Sequence, residues 1–212
     1  MANDLERVPL FETIAQDELK ALAASTATRS YPKHAIIVNE GDPGGSLYVL
    51  LAGRVKFFLM GSNGREFVLG TAGPGEYFGE IALDGGPRSA SVMTLEPCRC
   101  SIVPREGLQA FVASHPTVAL TIMNNLSRRV RALTETVKNL ALSDLYGRVA
   151  HLLSEARRDG QDEIALSQQA IADRVGASRQ MVNRIITDLI AGGYVARRGR
   201  RIVVLRKPPS AW

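Results

Sequence analysis

Phe78-Gly79-Glu80-Ile81-Ala82-Leu83-Asp84-Gly85-Gly86-Pro87-Arg88-Ser89-Ala90-Ser91-Val92 sets one carboxylate and one guanidinium eight residues apart on a loop punctuated by glycines. A glycine at 79 lets backbone come close to a ligand, because no Cβ stands in the way. The Glu80 carboxylate can accept from sugar hydroxyls, and the planar fork of Arg88 can hold a phosphate through two parallel hydrogen bonds. That pairing suits a ribose joined to a phosphate. A solvated turn carrying the same two charges is the alternative reading of the segment.

The surroundings of this loop read as β structure. From Thr28 to about Val103, short apolar runs alternate with turn signals. The runs include Ala35-Ile36-Ile37-Val38, Leu47-Tyr48-Val49-Leu50-Leu51 and Val55-Lys56-Phe57-Phe58-Leu59, and the turns include Gly61-Ser62-Asn63-Gly64 and Gly73-Pro74-Gly75-Glu76. Many short strands at such spacing predict an all-β barrel or jelly roll, preceded by a short helix around residues 17–23. Metal-dependent cupin enzymes share that architecture but need clustered histidines. Here His34, His115 and His151 lie far apart, so neither a metal nor an enzymatic role is expected.

The chain has 212 residues, 45% hydrophobic and 22% charged, enough for two domains with buried cores. No apolar run reaches the length of a membrane span, and the N-terminus has neither a basic nor an apolar leader region. A cytoplasmic protein without membrane contact is the expectation. Cys98 and Cys100 are the only cysteines. Two residues apart in a strand, they would point to one face as buried structural thiols. They cannot supply the four ligands of a structural zinc site or an iron–sulfur cluster. Residues 143–212 hold twelve Lys or Arg against seven Asp or Glu, a balance of +5 that equals the net charge of the whole chain. A basic excess confined to one end is the electrostatic footprint of a nucleic-acid-binding domain, although a solvated basic face gives the same sum.

Two helical patterns complete the reading. After Ser114-His115-Pro116, the residues Met123, Leu126, Val130, Leu133, Val137 and Leu140 recur at alternating spacings of three and four. That is a heptad seam, narrow enough to suit a partner helix in a parallel homodimer, against the alternative of a helix packed on its own β domain. Beyond Ser143-Asp144, a helix opens at Leu145, and Ser167 and Ser178 read as N-caps of two further helices. Gly176 supplies the left-handed backbone of the tight turn between them, and Ala170, Ile171, Val175, Val182 and Ile185 would pack the pair together. The second helix exposes Arg179, Gln180, Asn183 and Arg184, which can form paired hydrogen bonds with base edges. A two-stranded wing follows, Tyr194-Val195-Ala196-Arg197-Arg198 and Ile202-Val203-Val204-Leu205. Arg197, Arg198, Arg200 and Arg201 of this wing are placed for phosphates.

The stretch from Phe78 to Ala90 resembles the phosphate-binding cassette of cyclic-nucleotide-binding domains. With the helix-turn-helix, the chain from about Leu10 to Leu205 resembles the family of bacterial transcription regulators named for the cyclic AMP receptor protein and the fumarate-nitrate reduction regulator. The resemblance implies an α+β chain with three parts: a jelly-roll cyclic-nucleotide-binding sensor over 1–115, a dimerisation helix over 116–142, and a winged helix-turn-helix DNA-binding domain over 143–212. It implies that Gly79 and Glu80 face the ribose, that Ile81 and Ala82 beside them belong to the nucleotide site, that Arg88 and Ser89 hold the cyclic phosphate, and that residues 139–144 form a hinge. It further implies near-palindromic double-stranded DNA and RNA polymerase as partners, with Ser178, Arg179, Gln180, Asn183 and Arg184 at the DNA. The family's base-reading Thr-Ser pair falls on Leu133 and Thr134, and Leu133 cannot hydrogen-bond a base. The effector is therefore expected to be cyclic AMP first, with cyclic GMP and cyclic di-GMP as alternatives. Gln180 stands where the cyclic AMP receptor protein has a glutamate, so the operator is expected to differ at that base pair. A regulator of the same family that binds DNA constitutively or answers a non-nucleotide effector, its cassette vestigial, and a nucleotide-binding module without a transcriptional role, are the competing functions.

Overall fold

Alternating burial along Ser46–Val49, with Leu47 and Val49 buried, marks the strand at the centre of the first part of the chain. The structure, a computed structural model, describes residues 5–6, 8–158, 163–164, 166–199 and 201–209. A 3-10 turn at Pro9–Phe11 and helix α1 (Gln16–Ala24) lead into eight strands: β1 (Ala27–Tyr31), β2 (Ile36–Val38), β3 (Ser46–Ala52), β4 (Val55–Met60), β5 (Glu66–Ala72), β6 (Tyr77–Phe78), β7 (Ser91–Thr94) and β8 (Cys98–Pro104). They form two four-stranded sheets of order β1-β8-β3-β6 and β2-β7-β4-β5. The pairs β1·β8, β3·β8, β3·β6, β2·β7 and β4·β7 are antiparallel.

Side chains on β3 divide between two cores as a period of two requires. Leu47 and Val49 pack with Leu19 and Leu22 of α1 and with Leu108 and Phe111 of α2 (Arg105–Ser114). Leu50 instead joins Val38, Val55, Phe78 and Val92 between the two sheets. Cys98 and Cys100 face that inter-sheet core as free thiols. Burial pushes the Cys100 thiol up to about 12, which leaves it protonated and inert near neutral pH. Each fully buried leucine contributes about 1.5–3 kcal/mol.

Helix α3 (Pro116–Leu142) sinks Val118 and Ile122 at its start into the first core. The heptad seam that follows is exposed in the single chain, with Met123, Val130 and Val137 each about 60% accessible. Helices α4 (Leu145–Arg158), α5 (Gln168–Val175) and α6 (Arg179–Ala191) then alternate with β9 (Glu163–Ile164), β10 (Val195–Arg198) and β11 (Arg201–Val204). Their core is Val149, Leu153, Ile171, Ala172, Val175, Val182, Ile186 and Leu189 with the wing residues Val195, Ile202 and Val204. Ala172 and Ile186 take the central positions, whereas Ala170 and Ile185 are only partly buried. The wing sheet has three strands in the order β10-β11-β9, not two, because two-residue β9 adds an edge too short to leave a periodic signal. The chain groups into two compact units, residues 1–59 with 68–130 and residues 60–67 with 131–212.

His115 sits at the junction of α2 and α3 and carries a pH-dependent tie. Its ring stacks on Phe111 at 4.2 Å, Nδ1 lies 2.9 Å from the Phe111 carbonyl, and Nε2 lies 3.0 Å from Glu18 Oε1 on α1. Both nitrogens face acceptors, so the imidazolium fits best. The Glu18 contact, then the Phe111 carbonyl, raise His115 above its ordinary 6.5, and the His115 bond holds Glu18 below its ordinary 4.5. The histidine's contribution is complete below 6.5 and fades as pH rises through its raised folded value. The glutamate's is complete above 4.5 and fades as pH falls through its lowered value. His115→Ala is therefore expected to lower the melting temperature more at about pH 5.5 than at about pH 9. Equal losses in thermal denaturation at the two pH values would show the tie to be idle.

Candidate functional site

The glycine at 79 is demanded twice. Its φ of 83° lies in the left-handed region, and a Cβ there would come within 2.5 Å of Arg88 Nη1 and 2.8 Å of the Ser46 carbonyl oxygen. From it springs a 3-10 turn, Glu80–Leu83, that contains Ile81 and Ala82. The loop is pinned against residues 41–43: Arg88 N donates to the Asp42 carbonyl and Gly41 N to the Arg88 carbonyl, both at 2.8 Å. A bridge between Pro43 and Pro87 closes the same edge.

This backbone frame buries two opposite charges beside one cavity. Arg88 is 7% exposed; it donates to the Ser46 carbonyl at 2.9 Å and the Gly79 carbonyl at 3.3 Å, and lies over the Tyr48 ring. Tyr48 in turn stacks flat on Phe78 at 5.0 Å. Glu80 is 5% exposed, and its Oε1 accepts from Arg129 on α3. Arg129 also donates to the Tyr77 carbonyl at 2.6 Å and lies over the Phe57 and Tyr77 rings. Among the described residues, Glu80 Oε2 and Arg88 Nε have no hydrogen-bond partner although both are buried. One is a spare acceptor and the other a spare donor, and both residues line a cavity of about 70 Å³ together with Ile81, exposed Ser89 and Arg129. Ordinary ligand pockets start at roughly 300 Å³. With Arg129 in its present place the cavity is too small to enclose a nucleotide.

Arg129 is the pocket residue that sequence reasoning missed. In the sequence it falls between seam positions Leu126 and Val130 like any solvated charge, and only the demand of a buried carboxylate for a cation would have singled it out. Leu133 and Thr134 lie one turn further along α3 on exposed positions and are not among the residues lining the cavity.

The second cluster lies on the C-terminal unit. Ser167 Oγ accepts from Ala170 N and Ser178 Oγ from Met181 N, capping α5 and α6. Between them Gly176 has φ 68°. Arg148 on α4 locks this turn to the residue just past α3, donating to the Val175 carbonyl at 3.0 Å and the Ser143 carbonyl at 2.9 Å. The outer face of α6 exposes Arg179, Gln180, Asn183 and Arg184, and β10 exposes Arg197 and Arg198. Arg201 lies in β11, and Arg200 lies outside the described residues. Asn183 Oδ1 accepts from Gln168 Nε2 and from Arg197 Nη2, each at 2.8 Å, which ties the wing and α5 to α6. A cleft of about 490 Å³ opens between the start of α5, Arg179 and Arg197. Its lining of amides, guanidinium groups and a helix N-terminus attracts anions.

Comparison with known proteins gives a family match for each of the two regions. Residues 28–115 match the family described as cyclic nucleotide-binding domain, and residues 147–209 match the Crp-like helix-turn-helix domain. The chain is 31% identical over 209 residues to a CRP-like cAMP-activated global transcriptional regulator of Mycobacterium tuberculosis, covering 94% of this chain and 93% of the relative. It is 32% identical over 189 residues to the cyclic AMP receptor protein of Thermus thermophilus, covering 88% of each. Among solved structures, the c-di-GMP responsive global regulator CLP of Xanthomonas campestris superposes with a TM-score of 0.80 at 27% identity, over 90% of this chain and 99% of that one. The chain, with its cyclic-nucleotide-binding β domain, long helix and DNA-binding helix-turn-helix, belongs to the CRP/FNR family of transcription regulators.

Proposed function

We propose that this protein is a homodimeric, cytoplasmic transcription regulator whose DNA binding is governed by a cyclic nucleotide, cyclic AMP first, held in the β domain. Residues 1–115 serve as sensor, 116–142 as dimer helix and 143–212 as DNA-binding domain. The observation that carries this reading is the pair of buried, unmatched atoms in one cavity, Glu80 Oε2 and Arg88 Nε. A buried polar atom left unpaired costs about 1–3 kcal/mol, so the pair is a standing demand for a ligand that donates at one end and carries an anion at the other. A ribose hydroxyl and a cyclic phosphate meet it. Entry requires Arg129 to leave its present position, and since Arg129 belongs to α3, ligand binding acts directly on the helix that carries the seam. Two of the relatives above are named for cyclic AMP and one solved neighbour for cyclic di-GMP.

Leu133 and Thr134 would meet the base only when a second chain brings its seam alongside. The exposed Met123, Leu126, Val130, Leu133, Val137 and Leu140 support that dimer, because such a row in water is costly without a partner helix. Two DNA-binding domains related by a two-fold axis then face half-sites about 34 Å apart on a near-palindromic operator. RNA polymerase is the expected protein partner at the promoter, and the chemistry calls for no catalysis and no metal.

Calorimetric titration with cyclic AMP, cyclic GMP and cyclic di-GMP tests the pocket. Arg88→Leu is expected to lose binding by at least about tenfold, through loss of a charge-assisted contact, with the fold retained, and Glu80→Ala to weaken it less. Wild-type affinity in Arg88→Leu would transfer the phosphate elsewhere. Absence of binding by the wild type would leave the cassette vestigial and the regulator constitutive.

For the seam, Val137→Glu is expected to convert the dimer to monomer in sedimentation velocity. A dimer that survives it would move the interface off α3. On the wing, Arg198→Ala is expected to lower affinity evenly across DNA sequences and reduce the salt slope by about one. A change confined to one base position would make Arg198 a reader of sequence instead.

A further inference from the structure

Asn183 occupies the exposed face of the recognition helix, yet its two amide ends are in unequal states. The oxygen accepts from the Arg197 guanidinium and from the Gln168 amide, each at 2.8 Å. A guanidinium is donor-only, so the atom facing it must be the oxygen, and the orientation of the amide is fixed by chemistry. An amide oxygen has two acceptor sites, and both are taken. What Asn183 retains is its NH2 group, two donors and no acceptor.

This changes what the residue can read. Asparagine recognises adenine by donating to N7 while accepting from the N6 amino group, and the second contact needs the oxygen. Guanine offers two acceptors on its major-groove edge, N7 and O6, whereas thymine offers one and cytosine offers a donor. A group with donors only therefore matches guanine best. We propose that Asn183 is a donor-only reader that selects guanine at one position of each half-site, and that Arg197 and Gln168 are positioning residues that withhold its oxygen from adenine. The specificity of the helix is thus set in part from the wing and from the helix before it. Arg197, expected from the sequence to meet phosphate, gives one nitrogen to Asn183 instead.

The proposal rests on the reading of α6 as the DNA-recognition helix, and the test separates the two. The full-length protein, in separate runs with cyclic AMP, cyclic GMP and cyclic di-GMP, is used to enrich duplexes from a near-palindromic library randomised in both half-sites. The wild type is expected to show one position per half-site with a guanine preference over adenine of roughly tenfold. Asn183→Ala should erase the preference at that position alone. Asn183→Asp, which keeps the tie to Arg197 but turns an acceptor outward, should exchange guanine for cytosine there, a result that mere loss of packing cannot give. The double variant Gln168→Ala with Arg197→Ala frees the oxygen and should admit adenine at the same position, provided its thermal melting remains cooperative. If that double variant unfolds, Arg197→Lys, which keeps one donor on the oxygen, should hold adenine below guanine. Adenine selected by the wild type at the position that Asn183→Ala relaxes, or cytosine absent from the Asn183→Asp selection, overturns the proposal. Failure of the wild type to enrich any duplex with any of the three nucleotides overturns the DNA reading beneath it as well.

Discussion

Burying a carboxylate and a guanidinium in one loop is the constraint around which the β domain is arranged. Removing either charge from water costs several kcal/mol unless partners replace the solvent. The partners here are mostly backbone: the Ser46 and Gly79 carbonyls for Arg88, with Arg129 for Glu80. Backbone carbonyls can serve only if the chain passes close by. That requirement explains the left-handed Gly79, the short 3-10 turn after it and the clasp to residues 41–43. The flat Tyr48–Phe78 stack then gives Arg88 an aromatic floor. Compensation is left incomplete at two atoms, Glu80 Oε2 and Arg88 Nε, and each buried atom left unpaired is costly.

The C-terminal unit follows a different economy. Its core is apolar and its polar interactions lie at the rim, where caps at Ser167 and Ser178 and the Arg148 bonds fix helix ends rather than bury charge. Rim contacts cost little desolvation, so α6 and the wing can hold arginines outward. The Asn183 tie shows that even there the side chains are held in chosen states.

Much of this was legible in the residues because it depended on local chemistry. The loop from Phe78 to Val92, the serine caps, the left-handed Gly176 and the seam on α3 each follow from a short pattern with one physical cause. The common burial of Cys98 and Cys100 follows from a period of two. What escaped reading depended on contacts between distant positions. Arg129 meets Glu80 across 49 residues, and nothing in either neighbourhood announces it. The link from Asn183 to Arg197 is similar, since side chains that suit base edges also suit one another, and sequence alone does not say which partner has claimed them. Strand β9 was too short to register as a pattern.

Helix α3 is a rod of 27 residues, about 40 Å long, clamped near one end by Val118, Ile122 and the His115 contacts. A clamped rod is a lever. A tilt of only about 5° at the clamp displaces the far end by roughly 3–4 Å, comparable to the rise of one base pair. Arg129 grips the pocket about half-way along. An ångström of movement imposed there is therefore roughly doubled by the time it reaches Leu142.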